Sequence, residues 1–137
     1  MIVLDTHVLV WTVENNARLG ITTRTLIDAE TQNGRILVSA ISLWEVAMLV
    51  EKDRLALGQD VRNWVENVLD LSGVELAHLL PSISLDCVRL PGRFHADPAD
   101  RMITATARYH QATLVTADRQ ILDYAAQGHV IAQDAQK

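Results

Sequence analysis

Cysteine is nearly missing. Cys87 is the only one in the chain, which excludes an intrachain disulfide and makes a reducing cytosol the expected compartment. No apolar run approaches the roughly 20 residues of a membrane-spanning helix, so that kind of membrane association is excluded. Met1–Asp5 has neither a basic n-region nor a small-residue cleavage site and reads as a first strand rather than a signal peptide. Repeats, low-complexity tracts and linkers are absent as well. Positive charge is scarce: the net charge is −5, and only Lys52 and Lys137 accompany ten arginines. An acidic chain is poorly suited to broad, nonspecific nucleic-acid binding. Arginine is nevertheless the better bidentate partner for phosphate, so local basic patches remain open. Divalent cations would cancel negative charge where it is densest.

What is present suffices for a core. Of 137 residues, 49% are hydrophobic and 21% charged, which excludes wholesale disorder and fits a single domain spanning residues 1–137. Ile2–Leu4 and Ile36–Val38 read as short buried strands. Helices are expected over Val8–Val13, over Thr23–Gln32 with Asn33-Gly34 as its stop, and from Ser42 to about Glu51. Val61, Trp64, Val65, Val68 and Leu69 form the apolar stripe of an amphipathic helix within Asp60–Leu71. A short helix around Ser82–Leu90 and a turn at Pro91-Gly92 follow. Pro98 opens a helix to about His110. Thr113–Thr116 is a strand, Arg119–Ala126 a helix stopped by Gly128, and Val130-Ile131 a last strand. Short apolar strands alternating with helices indicate an α/β fold with a mainly parallel sheet.

Ligands of such sheets bind beyond the carboxyl ends of the strands. Asp5 directly follows the first strand, and Glu45 is expected in the first turn of the helix after the second. Asp118 lies just past Thr116, and Asp97 and Asp100 flank the start of the preceding helix. Taken singly, each acid is better explained as a cap. Asp5 and Asp118 suit N-cap positions, Ser42-Leu43-Trp44-Glu45 fits a capping box, and Asp97 before Pro98 is a natural N-cap. Taken together they resist that explanation. Carboxylates about 4 Å apart repel by about 4 kcal/mol per pair at an effective dielectric of 20, so a converging set needs protons or cations. Oxygen-only ligands suit Mg²⁺ or Mn²⁺. Glu45 adds a local hint, because a charge inside the run Leu43–Val50 wants a partner.

These residues resemble a known family, the PIN domain, and within it the VapC-like toxins of type II toxin–antitoxin pairs. Four segments carry the likeness: Ile2–Trp11, Val38–Val46, His95–Ile103 and Leu114–Asp118. No one of them is specific, but they stand in the family's order and cover nearly the whole chain. The resemblance implies a PIN-like three-layer α/β/α fold and a metal-dependent endoribonuclease using Mg²⁺ or Mn²⁺. It implies a site of Asp5, Glu45, Asp100 and Asp118, with Asp5 and Asp100 the most direct metal ligands. Asp97 and Asp100 compete for that role, and Asp100 is preferred because Asp97 caps. Thr6 and Thr116 are accessory candidates for which capping is favoured. The resemblance further implies an RNA substrate such as tRNA, an antitoxin partner whose C-terminal segment blocks the site, and a homodimer. A PIN fold that has lost catalysis and only binds partners is the alternative.

Other features carry less. His7, His78, His95, His110 and His129 form no metal-spacing pair and read as structural, with His95 alone near the proposed site. Arg93 and Arg101 can reach phosphate, although an ion pair with a neighbouring acid is the simpler reading. Trp11, Trp44 and Trp64 sit in helical apolar patterns and read as core or interface. The Asp60–Leu71 stripe is most simply core packing. A haloacid-dehalogenase-type phosphotransferase needs a second aspartate two positions after Asp5, where His7 stands. A receiver domain needs an acid beside Asp5 and a lysine after the last long strand, and this chain has neither.

Overall fold

Ile2–Leu4 (β1) carries only apolar side chains and is fully buried, the pattern of a strand covered by helices on both faces. The computed structural model describes residues 1–137. Its further strands are Ile36–Ser39 (β2), Val74–Ala77 (β3), Thr113–Thr116 (β4) and Ala132–Asp134 (β5). They form one five-stranded sheet in the order β3-β2-β1-β4-β5, with every neighbouring pair parallel. The helices are Thr6–Val13 (α1), Ile21–Asn33 (α2), Ala40–Glu51 (α3), Val61–Leu69 (α4), Pro81–Asp86 (α5), Pro98–His110 (α6) and Arg119–Ala126 (α7).

Strand residues alternate between two cores. Ile2, Leu4, Ile36, Val38 and Val115 pack with Val8, Ile27, Val46, Trp64 and Val68 of α1 to α4. Val3, Leu37 and Leu114 face the other way, against Ile83, Ile103, Ala107, Ile121 and Tyr124 of α5 to α7. Each fully buried side chain of this size contributes about 1.5–3 kcal/mol. The result is the expected α/β/α sandwich with a parallel sheet. Its order reverses at β1, which has β2 on one side and β4 on the other, so a crevice opens beyond the carboxyl ends of β1 and β4.

The departures from expectation lie mainly at edges and caps. The sequence gives no sign of β3, because this edge strand is only partly buried and Glu75 interrupts its apolar run. Its register comes from pairing with β2, and Glu75 ion-pairs with Arg35 at that edge. The last strand forms at Ala132–Asp134, not Val130-Ile131, since parallel pairing with Leu114–Thr116 sets its position. α5 stops at Asp86, well short of Leu90. α3 starts at Ala40, not Ser42, because Ser39 is its N-cap and accepts the Ile41 N–H. Ser42 is therefore inside the helix, Glu45 lies in the second turn rather than the first, and the capping box does not form. Trp64 is buried in the core and Trp44 is 56% exposed.

Candidate active site

Asp5, Glu45, Asp100 and Asp118 line one cavity of about 310 Å³ with Thr6, His7, Trp11 and Arg54. The acids arrive from the end of β1, the middle of α3, the first turn of α6 and the end of β4. Helix starts at the crevice explain the convergence, since Asp5 is the N-cap of α1 and Asp118 the N-cap of α7. Capping and lining the cavity are therefore compatible for these residues. Asp5 Oδ1 accepts the Thr6 N–H at 2.8 Å, while Oδ2 accepts the Thr116 hydroxyl at 2.7 Å. Asp118 caps through Oδ1 alone, accepting from Gln120 N at 2.8 Å and Ile121 N at 3.4 Å. Asp97 is exposed, caps α6 by accepting the Asp100 N–H at 2.9 Å, and lies outside this cavity.

Supporting side chains hold the acids in place. Thr116 also accepts the Asp118 N–H, at 3.0 Å, and the Thr6 hydroxyl donates to Ser42 Oγ. Thr116 thus does more than cap, and the Thr6 hydroxyl, contrary to expectation, caps nothing and bonds instead to Ser42. His7 Nε2 accepts the Ala117 N–H, so the neutral ring carries its hydrogen on Nδ1, 3.6 Å from Asp5 Oδ2. Arg101 forms no ion pair with a neighbouring acid. Its guanidinium donates to the carbonyls of His95, Cys87 and Phe94 and fixes the loop before α6.

The electrostatics follow from crowding. Burial pushes the Asp100 carboxyl up to about 6, Asp5, Asp97 and Asp118 push the same way, and its hydrogen bond with His95 opposes them. Burial also raises Glu45, with Asp5 and Asp97 adding to it while Thr6 and His7 oppose. With four acids and one arginine on its wall the cavity is short of positive charge. Asp100 and Glu45 are both pushed toward the protonated form, and the acids' donors are hard oxygens. The residues therefore fit a divalent cation. The tightest potential ligand group is His95, Asp100 and Asp118, whose ligand atoms all lie within 4.8 Å of one another. Asp5 and Glu45 line the same cavity but stand outside that group.

Sequence reasoning misses two residues here, His7 and Arg54, and gives His95 no more than nearness to the site. His95 lies in the loop before the Asp97-Pro98-Ala99-Asp100 turn, and that nearness was its only signal. His7 has no metal-spacing partner in the sequence to mark it. Arg54, the one Lys or Arg lining the cavity, follows a left-handed turn at Asp53 and has no motif around it.

A family model described as PIN domain matches residues 2–127. The chain belongs to the PIN-domain family. This PIN domain is 35% identical over 120 residues to Ribonuclease VapC22 of Mycobacterium tuberculosis (strain ATCC 25618 / H37Rv), covering 88% of each chain. It superposes with a TM-score of 0.70 on a chain in the crystal structure of VapBC2 from Rickettsia felis bound to a DNA fragment from their promoter. The two share 18% identity over 97% of this chain and 98% of that one. Against DNA-bound VapBC from Salmonella typhimurium the TM-score is 0.69 at 18% identity, over 97% of this chain and 96% of that one. At such identities the solved structures speak for the fold of this PIN domain alone.

Proposed function

We propose that this PIN domain is a Mg²⁺- or Mn²⁺-dependent endoribonuclease and the toxin of a type II toxin–antitoxin pair. The observation that carries this reading is the meeting of Asp5, Glu45, Asp100 and Asp118 in one cavity. The identity to Ribonuclease VapC22 supports RNA as the substrate, and the VapC-like resemblance supports tRNA as its class. Likeness to the VapBC structures supports an antitoxin partner. The same family likeness favours a homodimer, a cytoplasmic setting and residues 1–137 acting as one domain.

Asp5, Asp100 and Asp118 would hold the ion, with Glu45 completing the set. A bound divalent cation supplies charge against the phosphate oxygens and makes a nearby water more acidic. Asp5 is fixed in advance, because Thr6 and Thr116 engage both of its oxygens. Glu45, whose proton affinity is raised by burial, accepts the proton of the attacking water at its carboxylate. Arg54 at the cavity wall offers its guanidinium to a substrate phosphate. In-line attack by the water oxygen on phosphorus breaks the bond to the 3′ oxygen, which takes a proton from solvent, leaving a 5′-phosphate and a 3′-hydroxyl. No serine, cysteine or histidine nucleophile is required.

The test is cleavage of structured RNA by the purified chain with Mg²⁺ or Mn²⁺, with chelator, and with Asp5→Asn. Cleavage that needs the ion and is lost in Asp5→Asn is the expected result. Cleavage unaffected by both controls overturns the mechanism. No cleavage of any RNA despite ion binding would favour a PIN fold that only binds partners.

A further inference from the structure

Three separate contacts place His95. Its carbonyl and that of Phe94 are held by the Arg101 guanidinium. Its ring lies on Phe94 with centroids 4.4 Å apart and planes inclined by 26°. Its Nε2 is turned toward Asp100, 2.6 Å from Oδ2. His95 stands beside the cavity rather than on its wall, and it reaches the acid set through Asp100, which does line it. Ligand atoms of His95, Asp100 and Asp118 fall within 4.8 Å of one another. That is somewhat wider than the roughly 4.2 Å between opposite ligands on a single ion of this kind, so an ion would draw the three side chains slightly together. His95 brings the only nitrogen to that group.

We propose that His95 is a nitrogen ligand to the ion held by Asp100 and Asp118, and that it biases the site toward Mn²⁺ over Mg²⁺. The proposal rests on the metal-dependent reading above and adds to it the ligand that sets metal preference. Mg²⁺ is hard, strict in geometry and slow to exchange water for nitrogen. Imidazole suits first-row transition ions, so one histidine among carboxylates tilts the balance toward them. His7 does not offer the same service, since its Nε2 accepts a backbone N–H that no ion can displace, whereas His95 and Asp100 share only a labile proton that a bound ion would replace.

The test titrates Mn²⁺ into the full chain, read by loss of the free-ion paramagnetic resonance signal, and Mg²⁺ by competition. Pulsed paramagnetic resonance on the Mn²⁺ complex then looks for coupling to a directly bound ¹⁴N. The wild-type complex is expected to show that coupling and His95→Gln to lose it. Mn²⁺ affinity should fall by about tenfold or more in the variant, while Mg²⁺ affinity changes by less than about threefold. Absence of ¹⁴N coupling in the wild type overturns the proposal without recourse to any variant. So does coupling that survives in His95→Gln, or an equal loss of both ions. Ion-dependent RNA cleavage alongside any of these results leaves the nuclease reading standing. A wild-type chain that binds neither ion overturns both.

Discussion

Thr116 on β4 and Asp5 at the end of β1 are joined by a 2.7 Å hydrogen bond between side chains 111 residues apart. The same threonine accepts the backbone N–H of Asp118 at 3.0 Å. One buried hydroxyl thus ties two of the cavity's acids to neighbouring parallel strands, whose register pairs Leu4 with Val115. The spacing of these carboxylates is a property of the sheet, not of a flexible loop.

Thr116→Val keeps the shape and removes both hydrogen bonds. Unfolding in urea should show a loss of about 1–3 kcal/mol, the cost of leaving buried polar groups without partners. The turnover rate should fall more than the Michaelis constant changes, because the acids are displaced while the rest of the cavity persists. Thr116→Ser should recover most of both. A valine variant with unchanged stability would show that the hydroxyl does not hold these residues.

Asp5→Asn leaves the size of the side chain and an oxygen for the Thr6 N–H. RNA cleavage should drop by at least about 100-fold, or about 2.7 kcal/mol of transition-state stabilisation. Far-ultraviolet circular dichroism should remain that of the folded wild type. Single-turnover kinetics on one defined RNA measures the fall.

Asp100 gives a stability prediction whose sign can be worked out. Its folded-state value of about 6 lies above the ordinary aspartate value of 3.8, so between these limits the folded chain binds more protons than the unfolded one. Stability from this group is complete below about 3.8 and is lost as pH rises through about 6. Without divalent ions, Asp100→Asn should therefore stabilise the protein at pH 7.5 by roughly 1–2 kcal/mol, allowing for screening at a partly open site. The gain should shrink toward pH 4. Thermal melts of both proteins across that range decide the matter, and a variant less stable than wild type at pH 7.5 would contradict the argument. Mn²⁺ or Mg²⁺ should raise the wild-type melting point more than that of the variant.

Arg101→Lys retains the charge and loses the fork that reaches three carbonyls. A destabilisation of about 2–4 kcal/mol is expected from the carbonyls left without donors. Hydrogen exchange should rise in residues 93–97 before it rises in the sheet. Protection unchanged in that loop would mean that Arg101 does not hold it.

How far the residues announced this arrangement depends on where their signals came from. Buried strands announced themselves, because Ile2–Leu4 and Leu114–Thr116 are nearly continuous apolar runs that only a doubly covered sheet can use. α6 and α7 were legible from end to end through Pro98, Asp118 and their apolar stripes. Edge strands β3 and β5 were not, since Val74–Ala77 and Ala132–Asp134 owe their shape to a neighbour's backbone rather than to their own side chains. The meeting of the acids could be read because strand ends and helix starts mark one rim of a parallel sheet. Arg54 and His95 could not be ranked in the same way, because loop residues carry no period and their placement depends on contacts made far away in the chain. Ser42 misled for a similar reason: Ser39 is an equally good cap, and only the length of β2 chooses between them.

The central position of β1 also has a bearing on synthesis. Asp5 is made well before β4, so its strand has no β4 neighbour, and Asp5 no Thr116, until translation has passed residue 116. A product that stops before β4 lacks Asp118 and Thr116, and although β1, β2 and β3 can still pair, nothing holds Asp5 from its open side. The acid set is therefore assembled in one step, when β4 docks beside β1 and Thr116 meets both Asp5 and the Asp118 backbone.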